Sequence, residues 1–417
     1  MFRQLILFIG IGFNSHLYVY AQDVTTVYEQ GKKCLADNDH VGYYQYMSQA
    51  YELYPQHYAI AYHFGAASAS NDKPQQALDL LTKALWMNAE LDLTGNNALG
   101  RLKSTPGWSD LLSLQQKLQV VVISSDTALV LSDRTLHLES VAVHKNTFYG
   151  ASIRQRALFE IKKGVPVEMI NRQNSPAFFG IAIDKRRDML WASASPIEQM
   201  VNFDSTLQSG VYGYNLSTKR LTKTYRTTKP SLLGDLVVSN NGELFMSDSK
   251  NNVILTRSNG DTLLTFFSSY EFQNLQGIAL SDNSQYLFIA DYVKGIYRLD
   301  LKTLTLKQLT NSTEASLVGI DGLEYYNRSL IAIQNGVIPF RVMRYFLNET
   351  MDTITSYEVI DWNHPAHHEP TNGMIDGDTL YYVANSQWGG YEEDFAQLPS
   401  EKLQDIVVLK YKLKSTQ

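Results

Sequence analysis

One cysteine, Cys34, in 417 residues leaves no partner for an intrachain disulfide and no CxxC pair for a structural zinc or redox site. Basic residues are outnumbered as well: 36 Lys and Arg against 42 Asp and Glu give a net charge of -6. Such a chain lacks the positive footprint that phosphate neutralisation requires, which argues against nucleic acid as a partner. No stretch reaches the length needed to cross ~30 Å of hydrocarbon. Aromatic residues are plentiful: 26 Tyr, and 12% aromatic overall, a bias shared by β-rich proteins. With 44% hydrophobic and 19% charged residues the composition is that of a globular protein, and wholesale disorder is excluded.

Residues 1–21 read as a secretory leader. One cation, Arg3, precedes the apolar run Leu5-Ile6-Leu7-Phe8-Ile9-Gly10-Ile11-Gly12-Phe13, and Val19-Tyr20-Ala21 offers a cleavage site before Gln22, the layout of a signal peptide. Asn14, Ser15 and His16 interrupt the run. The expectation is a secreted or periplasmic protein with no membrane span once the leader is removed.

Over residues 22–118 the apolar spacing is helical. An offset of 34 superposes Gly31 on Gly65, Ala50 on Ala84 and Pro55 on Ala89, and 34 is the tetratricopeptide period. Asn71-Asp72-Lys73-Pro74 is a breaker before a helix expected over 75–88, and Pro106-Gly107-Trp108 opens a terminal cap helix. The segment resembles tetratricopeptide repeats. That resemblance implies a face for a peptide or protein partner or, with two units where about three normally stand alone, a helical cap on the second domain.

Over residues 119–417 the period changes to short strands separated by turns. Six units recur, each an apolar strand, a turn and a second apolar-aromatic strand, as in Gln276-Gly-Ile-Ala-Leu280 with Tyr286-Leu-Phe-Ile289 after it. Their second residues are Ser140, Gly180, Asp235, Gly277, Gly322 and Gly373, spaced by 40, 55, 42, 45 and 51, which are propeller-blade lengths. The fold class is therefore α plus all-β: a short tetratricopeptide-like helical domain and then a six-bladed β-propeller. The spacing of 55 leaves room for irregular strands and hence for a seventh blade. Val120–Ser124 or Ala128–Leu131 is expected to close the ring against Ile406–Leu413 and so remove an open edge.

In a propeller the innermost strands line the axis, so the residues just before the small positions are the candidate site. In order they are Glu139, Phe179, Gly234, Gln276, Asp321 and Asn372, with Asp235 one step on in the third unit. Carboxylate and amide oxygens are the ligands a hard cation such as Ca²⁺ takes. Unpaired, converging carboxylates repel and hold protons more tightly.

At these residues the chain resembles the regucalcin/gluconolactonase superfamily, relatives of paraoxonase and strictosidine synthase, over most of 131–413. The resemblance implies a calcium-dependent hydrolase of small lactones or esters. It carries a metal-ligand role onto Glu139 and Asp321, a catalytic acid/base role onto Asp321, and substrate contact onto Asp235. The family's metal-binding Asn is here Gln276, which keeps the amide oxygen but moves it by one methylene, about 1.5 Å; the Asn of its substrate blade is here Gly234. Asn372 and Trp388 are further candidates for substrate binding, the latter with Tyr391 as a pocket wall. The loop His364-Pro-Ala-His-His-Glu369 adds His368 as a secondary catalytic candidate, without the helical spacing of a zinc protease. Two other readings stay open: a non-enzymatic propeller that binds a peptide, glycan or protein partner, and a carbon–carbon bond-forming synthase.

Overall fold

The structure is a computed structural model that describes residues 15–169 and 175–414. The first fourteen residues of the expected leader lie outside the described residues; the remainder opens the first helix, Ser15–Ala36. The chain divides into two compact units. One holds the N-terminal helices up to Val121 together with Glu314–Val318 and Gly336–Pro339; the other holds everything else.

In the helical unit, His40–Leu53 is succeeded by Tyr58–Ser70, Pro74–Met87 and Gly107–Leu118. His40–Leu53 and Pro74–Met87 start and stop 34 positions apart. Asp39 caps the first of them, accepting from Gly42 N at 2.9 Å, and Pro74 supplies the preset φ of a first helical turn in the second. The same spacing governs packing. A methyl group on Gly31 would lie 2.5 Å from Met47 Cε, and one on Gly65 would lie 2.9 Å from Leu81 Cγ. At Gly65 the approach of two helices leaves no room for a side chain, while at Gly31 the facing Met47 terminus would have to turn aside. Trp108 and Leu111 bury the last helix, and Cys34 is half-buried beside Gly42.

The second unit is a six-bladed β-propeller. Five blades begin with inner strands Leu138–His144, Ala177–Asp184, Leu233–Val238, Leu275–Leu280 and Ile320–Tyr326 and run outwards in chain order, the fifth also adding the earlier segment Thr310–Asn311 in parallel at its outer edge. The sixth takes Gly373–Asp376, Thr379–Val383 and Ile406–Lys412 and borrows Asp126–Leu131 as its outermost strand. Of the two expected closing segments, Ala128–Leu131 makes that pairing, while Val122 bridges to Trp362 of blade five through bonds of 2.9 and 3.0 Å. Asp361 fixes this double attachment. Its buried carboxylate accepts from Ser124 N, Ser125 N and the Tyr382 hydroxyl at 2.8, 3.1 and 2.8 Å, and also from the Ser125 hydroxyl. In blade two, Ser195 and Gly210 are joined by a loop without strands, which accounts for the long spacing without a seventh blade.

The glycines of the phrases in blades two, four and five have a steric cause. At Gly277 a Cβ would sit 2.5 Å from both Asp321 O and Leu323 N of the next blade. Gly180 and Gly322 meet the backbone of blades three and six in the same way, at 2.9 Å from Gly234 O and Thr371 O. Adjacent inner strands therefore touch main chain to main chain. Replacing Gly277 by Ala is expected to cost about 1–3 kcal/mol through overpacking against immovable backbone. Gly260→Ala, whose added methyl meets nothing nearer than 3.7 Å, should stay within about 0.5 kcal/mol. Urea midpoints of the two variants check the contrast.

Candidate functional site

Five inner strands break register with their neighbour at the residues that face the axis. The shifts fall between Leu138 and Ser140, Phe178 and Ile181, Leu233 and Leu236, Leu275 and Ile278, and Ile320 and Gly322. Glu139, Phe179, Asp235, Gln276 and Asp321 all lie inside these irregularities. A bulge leaves its extra residue without a ladder partner and re-aims the side chain, which is how a strand packed on both faces can still present polar groups to the channel.

Glu139 is held by the sixth blade. Its backbone carbonyl accepts from Thr371 Oγ1 at 2.7 Å, and its Oε2 accepts from Ser386 Oγ at 2.6 Å and Trp388 Nε1 at 2.9 Å. Asp321 Oδ2 accepts from Asn335 Nδ2 at 2.5 Å, and Asn335 Oδ1 in turn accepts from the Tyr292 hydroxyl at 3.0 Å. Burial raises the Glu139 carboxyl to about 8, with the nearby Asp321 charge adding to the shift and the Ser386 and Trp388 donors opposing it. Burial likewise raises Asp321 to about 7 against the Asn335 donor, with Asp235 and Glu369 as repelling neighbours. The two acids, 182 positions apart in the chain, thus share one electrostatic environment.

Asp235 and Asn372 are engaged elsewhere. Asn372 Nδ2 donates to Asp235 Oδ1 at 2.8 Å, a bond between blades three and six, which face each other across the ring. Asp235 also accepts from Leu236 N and Ile278 N, at 2.8 and 2.9 Å, and Asn372 Oδ1 accepts from Gly373 N at 2.8 Å. The pair forms a strut through the channel. Gln276 donates to Asn274 Oδ1 at 2.9 Å, which leaves its own carbonyl oxygen without a donor among the described residues. Glu139 Oε1 and Asp321 Oδ1 are likewise without one.

The histidine loop separates its members. His367 turns inward to the Tyr382 hydroxyl at 2.9 Å, and burial lowers it to about 4. His368 is exposed and lies beside Glu369, whose carboxyl accepts from Gly389 N at 2.8 Å. Burial raises Glu369, and its charge reaches both Glu139 and Asp321. Trp388 contacts His137 edge-on at 4.8 Å between centroids, and Tyr391 bonds His137 Nδ1 at 2.5 Å. Trp388 also leans on an apolar cluster of Phe179, Ile197 and Met200, with Leu207 and Leu232 beside it.

Sequence patterning assigns no role to Glu324, Ser386 or Asn335. Glu324 stands three residues beyond Asp321 on the same inner strand, where burial and the Asp235 charge raise it well above the ordinary range. The phrase Asp321-Gly-Leu-Glu324 carries that signal. Ser386 and Asn335 come after the ends of second strands, a position that hydrophobic periodicity does not mark.

The acids impose a pH dependence on folding. A carboxyl that binds its proton more tightly when folded gives full stability below its unfolded value of about 4 and loses it as pH rises through the folded value. The propeller's melting temperature should therefore fall between pH 5 and pH 8.5. Glu139→Gln should flatten that slope and melt above the parent protein at the alkaline end. An unchanged slope in a scanning-fluorimetry series would contradict the assignment.

No protein-family model and no curated protein sequence matches the chain. Solved structures do resemble it. The PQQ-bound aldose sugar dehydrogenase of Streptomyces coelicolor has a TM-score of 0.47 at 13% identity, over 70% of this chain and 97% of that one. A catalytically inactive virginiamycin B lyase of Staphylococcus aureus gives 0.46 at 10%, over 70% and 100%. The gluconolactonase XC5397 of Xanthomonas campestris gives 0.45 at 10%, over 71% and 98%. Fold likeness of this degree leaves the chemistry to be argued from the site.

Proposed function

We propose that this chain is an exported hydrolase of small lactones or esters, with its reacting centre at the Glu139–Asp321 end of the propeller channel. One observation carries the reading: the charge of Asp321 in blade five reaches the buried carboxyl of Glu139 in blade one, and each acid keeps one oxygen without a donor among the described residues. A structural acid in this fold looks different. Asp291 spends its carboxylate on four backbone N–H groups, those of Gln273, Asn274, Val293 and Lys294.

Asp321 is the general base. With its proton affinity raised toward neutral pH, it can take a proton from water and return it within one cycle, the condition for efficient proton transfer. The water oxygen bonds to the carbonyl carbon as its proton passes to Asp321. The ring or ester C–O bond then breaks, and the leaving oxygen receives that proton. Asn335 and Tyr292 hold the Asp321 carboxylate in place, and Ser386 and Trp388 hold that of Glu139. His368, beside Glu369, is the outer candidate for a charge that tunes the acid group.

The donor set fits a hard cation. The unpartnered oxygens of Glu139, Gln276 and Asp321 are of the type Ca²⁺ takes, with water completing six to eight ligands. Among the described residues no three His, Cys, Asp or Glu side chains are grouped to hold a metal ion, so a cation here would draw on the Gln276 amide and on water beside the two acids. Bound there, the ion would supply Lewis-acid polarisation of the carbonyl.

Asp321→Asn should lower kcat on a lactone and arylester panel by about 10²–10⁴-fold, the usual reach of general-base catalysis, while the circular dichroism spectrum is kept. A variant as active as its parent would sink the hydrolase. Calcium should raise the melting temperature at pH 8 in a saturable way, and Glu139→Gln should abolish that rise. Calcium-independent melting would remove the ion from the scheme and leave the carboxyl chemistry to be judged on Asp321→Asn.

A further inference from the structure

One position in the axial ring departs from the rest. Where the other blades set Glu139, Asp235, Gln276, Asp321 and Asn372, blade two sets Phe179 inside its bulge. Phe179 is buried with Ile197 and Met200, which come from the long loop of that blade, while Leu207, Leu232 and Trp388 cover the cluster and stay partly exposed. Trp388 belongs to both regions. Its indole N–H donates to Glu139 Oε2 at 2.9 Å, and its ring lies on the apolar cluster. The wall it completes begins one hydrogen bond away from the acid pair.

We infer that the substrate is amphiphilic: a lactone or ester whose carbonyl meets Asp321 and Glu139 and whose alkyl or aryl substituent lies on the wall formed by Trp388, Leu207 and Leu232. The inference rests on the hydrolase reading for the reacting group and on the wall for everything attached to it. A polyhydroxylated lactone would set hydroxyls against leucine side chains and leave them unpaired, which binding does not tolerate. An alkyl chain gains affinity there, by about fourfold for each methylene removed from water.

The test uses the full chain with γ-butyrolactone, γ-octalactone, γ-dodecalactone and glucono-δ-lactone. The readouts are kcat/KM for the parent protein and ligand-induced melting shifts for Asp321→Asn, which reports binding without turnover. We expect kcat/KM and the melting shift to climb with alkyl length, at least tenfold in rate from butyro- to octalactone, with glucono-δ-lactone below octalactone. Leu232→Asn should flatten the dependence on chain length, and Leu207→Asn serves if that variant does not fold. A flat length series, or a preference for glucono-δ-lactone, overturns the amphiphilic substrate and leaves the hydrolase standing. A length-dependent melting shift that Leu232→Asn erases, with no turnover of any compound, keeps the ligand class and removes the hydrolase. Absence of both turnover and melting shift overturns the inference.

Discussion

Main-chain contact between neighbouring inner strands is the constraint on which the rest of the propeller depends. At Gly180, Gly277 and Gly322 an inner strand comes so close to the next that a Cβ would meet its backbone, and Gly277 against Asp321 and Leu323 shows how little room is left. Just before each such glycine stands the ring-facing residue of its phrase, Gln276 in blade four and Asp321 in blade five. The register break at the same point turns it toward the axis. Steric closure and the delivery of polar groups to the channel are one event in the backbone. The acids are therefore not added to a finished scaffold; their positions are a consequence of how the scaffold closes.

Bringing Glu139, Asp235, Asp321, Glu324 and Glu369 toward one axis is costly, because burial and like charge both favour the protonated form. Hydrogen bonds offset this cost unevenly. Asp235 is surrounded by two backbone N–H groups and the Asn372 amide, and burial still raises it to about 6. Glu139 and Asp321 receive fewer donors and hold their protons more tightly than Asp235 does. The difference separates an acid whose carboxylate is well supplied with donors from two that are not, although all three come from inner strands of one ring. Asp235, with both oxygens engaged, ties blade three to blades four and six, while Glu139 and Asp321 each retain an oxygen that no donor among the described residues satisfies.

The fold is largely legible in the sequence because both of its periodicities are local. The offset of 34 that pairs Gly31 with Gly65 reappears as the spacing of His40–Leu53 from Pro74–Met87. The strand–turn–strand phrases reappear as blades, with Gly210–Asn215 and Gly295–Asp300 as third strands. Glu139 and Asp321 are visible because the residue before a small one is fixed by that same phrase. The partners of the site are harder to read. Ser386, Trp388 and Asn335 reach the acids from loops whose course depends on tertiary contacts, and the 2.8 Å bond from Asn372 to Asp235 depends on which blades stand opposite, a property of the closed ring. The histidine loop shows the same limit: identical side chains at His367 and His368 point to the Tyr382 hydroxyl and to solvent respectively, because only one of them has a buried partner within reach.

Closure also explains why so many hydrogen bonds near the site come from blade six. A ring sealed by a borrowed strand carries its greatest risk of opening at the seam, and the seam here is anchored at several points. Asp126–Leu131 pairs with Ile406–Lys412, Asp361 gathers Ser124, Ser125 and Tyr382, and Val122 bonds Trp362 in both directions. On the axial side, Thr371 holds the backbone of Glu139 while Ser386 and Trp388 hold its side chain. Blade six thus joins blade one twice, at the outer edge through a strand and at the inner edge through the very residue that faces the channel.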